Sequence, residues 1–137
     1  MHALIIEDES MIAFAIEEIL RDSGFTSFDV AASAHSAIVA ATLRRPDMIT
    51  SDVQLKPGCG IATVEIICRA RAIPTIFITG NAADVARRLP NYRVLTKPFS
   101  ERALIAGVAA AMLEMPSEDA SKRVKPDSSF NAKAVVL

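Results

Sequence analysis

Five short apolar runs punctuate the chain, separated by stretches with helical spacing, and four of the five stop at residues capable of chemistry. Ala3-Leu4-Ile5-Ile6 stops at Glu7-Asp8, and Met48-Ile49-Thr50-Ser51 stops at Asp52. Pro74-Thr75-Ile76-Phe77-Ile78 stops at Thr79-Gly80, and Tyr92-Arg93-Val94-Leu95 stops at Thr96-Lys97-Pro98. Phe28-Asp29-Val30-Ala31 is the weak member of the set. In the first intervening stretch, Met11 to Arg21, Ile12, Ala15, Ile16, Ile19 and Leu20 recur at three- and four-residue steps and Ser23-Gly24 closes the helix. Ala34 to Leu43 is alanine-rich and helical, Thr63 to Ala70 predicts a short helix, and Asn81 to Leu89 predicts a poor one. Ser100 is placed to cap a last helix reaching about Leu113. Apolar strands alternating with helices require a parallel sheet covered on both faces. Right-handed crossovers reduce the topologies to a doubly wound sheet, and five strands give an α/β flavodoxin-like fold with order 2-1-3-4-5.

The length of 137 residues accommodates one domain over 1–114 and a mobile polar tail over 115–137. That tail is rich in Ser, Lys, Asp and Pro until Ala134-Val135-Val136-Leu137, and buries too little to fold alone. An apolar fraction of 51% supports a core, and a net charge of −1 offers no field for nucleic acid. No apolar run reaches the roughly 18 residues of a membrane span. The start, Met1 to Asp8, turns acidic at once and reads as no secretory leader. Cys59 and Cys68 match neither a CxxC pair nor a zinc knuckle, so they are expected as buried or half-buried free thiols in a reducing cytoplasm.

In a doubly wound sheet, ligands sit beyond the carboxyl ends of the strands. There the sequence collects three carboxylates (Glu7, Asp8, Asp52), one hydroxyl (Thr79) and one ammonium (Lys97). Taken singly, each has an ordinary role: a solvated strand end, a turn hydroxyl, a surface lysine. Together they form a constellation that chance does not readily assemble. Packed carboxylates repel, and Lys97 offsets only part of the charge. A hard divalent cation is therefore expected, and magnesium fits because it accepts one or two carboxylates and completes its shell with water and phosphoryl oxygens. Such a rim can take a phosphoryl group, with Asp52 as carboxylate nucleophile, Lys97 pairing with the group and Thr79 donating to it.

Over residues 1 to about 114 the sequence resembles the receiver domains of two-component response regulators. The matching pieces are Leu4-Ile5-Ile6-Glu7-Asp8-Glu9, Asp47-Met48-Ile49-Thr50-Ser51-Asp52-Val53, Gly58-Cys59-Gly60-Ile61, Pro74 to Gly80, and Lys97-Pro98-Phe99. The resemblance implies phosphoryl transfer to Asp52 from a histidine kinase or a histidine phosphotransfer protein. It implies magnesium held directly by Asp8, Asp52 and the backbone carbonyl of Gln54, with Glu7 acting through water. It also implies that the Gly80 N–H meets the phosphoryl group. Two positions depart from the family: Lys56 stands where proline is usual, and Val94 stands where many receivers carry a rotating aromatic. Phe77-Ile78-Thr79-Gly80 is similar to the Phe-Ala-Thr-Gly pattern of an alphaproteobacterial subclass, which would imply stress-response or related envelope signalling. Asn81-Ala82 replace the apolar residue and tyrosine that follow there.

No output module is recognisable after residue 114, so the expected output is protein binding through the fourth helix, fifth strand and fifth helix, which carry Val85, Leu89, Leu104 and Val108. The fourth helix is expected to be short and mobile before phosphorylation. Tyr92 reads as a packed edge residue. The chain is not expected to be an enzyme beyond its own phosphorylation and dephosphorylation. An aspartate-nucleophile phosphatase needs an acid two residues after the nucleophile, where Gln54 stands. A binding module working without phosphorylation, or a phosphate sink, are the alternatives.

Overall fold

Apolar residues on both faces of a strand need cover on both faces, and the chain supplies it with helices on each side of one sheet. In a computed structural model, which describes residues 1–88 and 90–114, the elements alternate strictly. They are β1 (His2–Ile6), α1 (Ser10–Asp22), β2 (Ser27–Ala31), α2 (Ala34–Leu43), β3 (Met48–Asp52), α3 (Gly60–Ile67), β4 (Thr75–Thr79), α4 (Ala82–Arg88), β5 (Val94–Thr96) and α5 (Glu101–Glu114). The sheet is parallel throughout with order β2-β1-β3-β4-β5, the expected flavodoxin-like topology. The tail and Leu89 lie outside the described residues. Among the described residues no helix is long and apolar enough to cross a membrane.

Alternation along the strands divides the core in two. Leu4, Ile6, Ile49 and Phe77 face one layer with Ala37, Val64 and Val85 from α2, α3 and α4. Ala3, Ile5, Met48, Ile76 and Ile78 face the other with Ile16, Leu20, Leu104 and Val108 from α1 and α5. The central strands β1, β3 and β4 are buried along their whole length, which is why their apolar runs are unbroken. Local signals set the helix ends. Gly24, at φ +102°, takes the left-handed conformation that lets the chain leave α1. Ser33 and Ser36 form a reciprocal capping box on α2. The Ser100 hydroxyl accepts from the Ala103 N–H at 3.0 Å, the expected cap of α5.

Several expectations shift. The third helix begins at Gly60 rather than Thr63, because the glycine-rich stretch is already helical there. The fifth strand begins at Val94, two residues late, and Tyr92 precedes it. Cys59 is exposed, not buried or half-buried, since it stands at the N-cap of α3, whereas Cys68 is half-buried. Val85, Leu104 and Val108, expected on an output surface, are all buried and serve the core. The exposed apolar residues of α5 are Ile105 and Leu113.

Candidate functional site at the carboxyl edge of the sheet

Strand register brings the chemistry together. Ile6 pairs with Ser51, which sets Glu7 abreast of Asp52, and Asp52 pairs with Ile78, which sets Thr79 one step beyond it on β4. One carboxylate oxygen from each of Glu7, Asp8 and Asp52 lies within 4.8 Å of the others. Glu7 is 2% exposed and Asp52 8%, and Asp8 is the most open of the three. Lys97 reaches over from the end of β5. Its ammonium lies 3.1 Å from Glu7 Oε1, 3.2 Å from Asp52 Oδ2 and 3.7 Å from Glu9 Oε1. The Lys97 backbone N–H donates to the Thr79 carbonyl at 2.9 Å, so lysine and hydroxyl are fixed to each other through the β4–β5 ladder.

The two oxygens of Asp52 are treated differently. Oδ2 accepts from Lys97, and Oδ1 accepts from the Gln54 backbone N–H at 3.2 Å. Behind the aspartate the backbone is gripped tightly. The Gly60 N–H donates to the Val53 carbonyl at 2.7 Å, and the Ser51 hydroxyl donates to the Asp52 carbonyl at 2.9 Å. A methyl group on Gly60 would lie 1.7 Å from the Asp52 carbonyl oxygen, so only glycine fits against the end of β3. Thr79 is buried, and its hydroxyl accepts from the Asn81 N–H at 3.2 Å. Gly80 and Gln54 are exposed at the rim. The loop after Asp52 turns tightly, with the Leu55 N–H on the Gly58 carbonyl at 3.2 Å and Gln54 bridged to Cys59.

Burial pushes the Glu7 carboxyl above its ordinary range, helped by the Asp52 charge, against the opposing pull of the Glu9 N–H and of Lys97. Burial also works against the Lys97 charge, but its contacts with Glu7 and Asp52 and their charges win and hold the ammonium above the ordinary lysine range. Glu7 Oε1 is buried and has the Lys97 ammonium at 3.1 Å, while Oε2 accepts from the Glu9 N–H at 3.1 Å. Three carboxylates that each offer an oxygen within 4.8 Å of the others form a hard-oxygen donor set, so the residues fit magnesium. A cavity of about 350 Å³, lined by Arg45, Asp47 and Arg71 among others, opens at the opposite edge of the sheet, away from the acidic cluster.

The sequence picked out Glu7, Asp8, Asp52, Thr79 and Lys97, and the fold collects them at one edge. It did not pick out Glu9 as a third partner of Lys97, although Glu9 directly follows the acid pair. It gave Gly60 only as part of the matching stretch Gly58 to Ile61, whereas glycine is demanded there by its close approach to the Asp52 carbonyl.

Comparison with known proteins agrees with this geometry. The family model described as the response regulator receiver domain matches residues 3–109. The transcriptional regulatory protein PdtaR of Mycobacterium tuberculosis is 30% identical over 113 residues, covering 80% of this chain and 55% of that protein. The receiver domain of Erythrobacter litoralis PhyR superposes with a TM-score of 0.75 at 30% identity, covering 85% of this chain and 92% of that one. The anti-anti-sigma factor PhyR of Bartonella quintana superposes with a TM-score of 0.70 at 30% identity, covering 82% of this chain and 48% of that one. The chain spans about half the length of the curated relatives it matches. With an acid pair after β1, an aspartate at the end of β3, a hydroxyl after β4 and a lysine after β5, the chain belongs to the response regulator receiver domain family.

Proposed function

We propose that Asp52 accepts a phosphoryl group from a histidine kinase or a histidine phosphotransfer protein, and that the phosphorylated domain signals by binding another protein in the cytoplasm. One observation carries the reading: Lys97 bridges Glu7 and Asp52 at 3.1 and 3.2 Å, beside a cluster in which Glu7, Asp8 and Asp52 each offer an oxygen within 4.8 Å of the others. In the transfer, an Asp52 carboxylate oxygen attacks phosphorus, the donor's nitrogen–phosphorus bond breaks, and an acyl phosphate forms. Lys97 then exchanges its contact with the carboxylate for one with the phosphoryl oxygens. Thr79 turns its hydroxyl, now occupied only as acceptor from Asn81, toward the same oxygens, and the Gly80 N–H lies next in line. Asp8, Asp52 and the Gln54 carbonyl, with Glu7 beside them, would hold magnesium, and the ion would supply neutralisation of the phosphoryl charge. Output through α4, β5 and α5 is supported by connectivity, because α4 starts three residues after Thr79.

Intact mass after incubation with acetyl phosphate and magnesium tests the reading. The parent should gain one phosphoryl group and Asp52→Asn should gain none. Equal labelling of that variant would move the acceptor elsewhere. Multiple turnover would favour a phosphatase, and absence of labelling a module that binds partners without phosphate.

A further inference from the structure

Two arms leave the site. One is α3, pressed by Gly60 against the Asp52 carbonyl. The other runs from Thr79 through α4 and back along β5 to Lys97. Among the described residues a hydrogen bond ties them together away from the rim. The Tyr92 hydroxyl, in the connection between α4 and β5, donates to Glu65 Oε2 on α3 at 2.7 Å. The Tyr92 ring is 7% exposed and meets Phe77 edge to face, with centroids 5.1 Å apart at 73°. Phe77 stands two residues before Thr79 on the same face of β4, and its N–H donates to the Arg93 carbonyl at 2.9 Å. Val85 of α4 packs into the same cluster as Phe77, Tyr92 and Val64 of α3. A displacement that begins at Thr79 and passes into α4 therefore meets the Tyr92 ring, and the ring is anchored to α3 by one hydrogen bond.

We infer that the Tyr92 hydroxyl and the Glu65 carboxylate form a latch that holds the β4–α4 junction, and with it Thr79, in the resting arrangement, so that both are positioning residues for phosphoryl acceptance. This rests on the reading of Asp52 as acceptor. Tyr92 is the only aromatic residue between Gly80 and Lys97, and Val94 leaves no ring to rotate within β5. Burial and the facing carboxylate keep the phenol protonated and donating far above the usual tyrosine range. Closing Thr79 onto a phosphoryl group draws the α4–β5 connection with it, and the hydrogen bond to α3 is the contact that must yield. Tyr92 and Glu65 do not touch the reacting atoms. They set how readily Thr79 leaves its resting place.

The chain has one tyrosine and no tryptophan, so tyrosine fluorescence reports Tyr92 alone. A phenol hydrogen-bonded to a carboxylate is quenched, and opening the latch should brighten it. The experiment follows intact mass and fluorescence together as acetyl phosphate and magnesium are added. It compares the parent with Tyr92→Phe, Glu65→Leu and Glu65→Gln. The expected result is brightening of the parent in step with its mass gain. Tyr92→Phe and Glu65→Leu should label about fivefold faster at low donor, the worth of one net hydrogen bond. Glu65→Gln keeps an acceptor oxygen and should label as the parent does. A parent that gains no mass overturns the acceptor reading itself. A parent that gains mass with unchanged fluorescence overturns the latch alone. So do variants that label at or below the parent's rate, and so does a Glu65→Gln that behaves as Glu65→Leu, since charge and not the hydrogen bond would then be acting.

Discussion

Gly60→Ala is the substitution whose outcome the structure constrains most. Helix propensity alone favours it, because alanine in a helix gains up to about 1 kcal/mol over glycine. The packing opposes it. A Cβ on Gly60 would lie 1.7 Å from the Asp52 carbonyl oxygen, 2.6 Å from the Ser51 hydroxyl oxygen and 2.9 Å from the Asp52 carbonyl carbon. Ordinary carbon–oxygen contact needs about 3.3 Å, so α3 or the end of β3 must shift by roughly 1.6 Å. Both walls are largely backbone, and β3 is the buried middle strand, hydrogen-bonded to β1 and β4. Overpacking of flexible side chains costs about 1–3 kcal/mol, and backbone walls put this case at about 3 kcal/mol or more. For a domain of this size that lowers the melting temperature by roughly 10–20 °C. Gly80→Ala is the control: an added Cβ there meets nothing within 4 Å, so stability should stay within about 0.5 kcal/mol of the parent. Urea unfolding of both variants measures the contrast. A Gly60→Ala protein as stable as the parent would refute the close-approach reasoning.

Three further outcomes are expected. The Thr50 hydroxyl is buried among the α1 and α5 face with no hydrogen-bond partner, so Thr50→Val should raise stability by about 1 kcal/mol in urea unfolding; a loss would show that the hydroxyl is satisfied after all. Glu7 is held above the 4.5 of an unperturbed carboxyl, so in chelator the folded state binds more protons than the unfolded state between the two values, and stability falls as pH rises through that window. Glu7→Gln should remove that fall, and magnesium should then raise the melting temperature less than it does in the parent; an unchanged pH slope would exclude Glu7 as its source. Gln54 and Asn81 sit two residues beyond Asp52 and Thr79 with exposed side chains, and replacing either by alanine should change the decay rate of the phosphorylated protein followed by intact mass. Decay at the parent's rate in both variants would remove them from the path of the attacking water.

What was legible in the sequence follows from burial. β1, β3 and β4 are covered on both faces, so their apolar runs are continuous and end abruptly where the chain meets the rim. The reactive residues stand at those breaks and are found by looking for them. The edge strands carry less signal: β2 and β5 are only partly buried, and the start of β5 was misplaced because Tyr92 looks like strand but packs ahead of it. Contacts between distant elements left no local trace. Nothing near Glu65 announces a phenol from 27 residues further on. The glycine at residue 60 reads as flexibility when it marks a collision avoided. Leu104 and Val108 of α5 have the spacing of an amphipathic face, and spacing cannot say whether that face meets the core or a partner.

On the proposed reading, the rim must accept a phosphoryl group against its own charge. Lys97 is within 4.0 Å of Glu7, Glu9 and Asp52, and Asp8 stands beside them, so four carboxylates face one ammonium and leave an excess of three negative charges. A phosphoryl group brings more negative charge to the same place, and lysine alone leaves the sum strongly unfavourable. The fold keeps this arrangement because the strand ends are pinned from behind, by the Gly60 N–H on the Val53 carbonyl, by the Glu7 N–H on the Ala31 carbonyl and by the Lys97 N–H on the Thr79 carbonyl. Those backbone bonds hold the carboxylates at distances they would otherwise leave. The repulsion stored at the rim is released when positive charge arrives, so cation binding and phosphoryl acceptance draw on the same source.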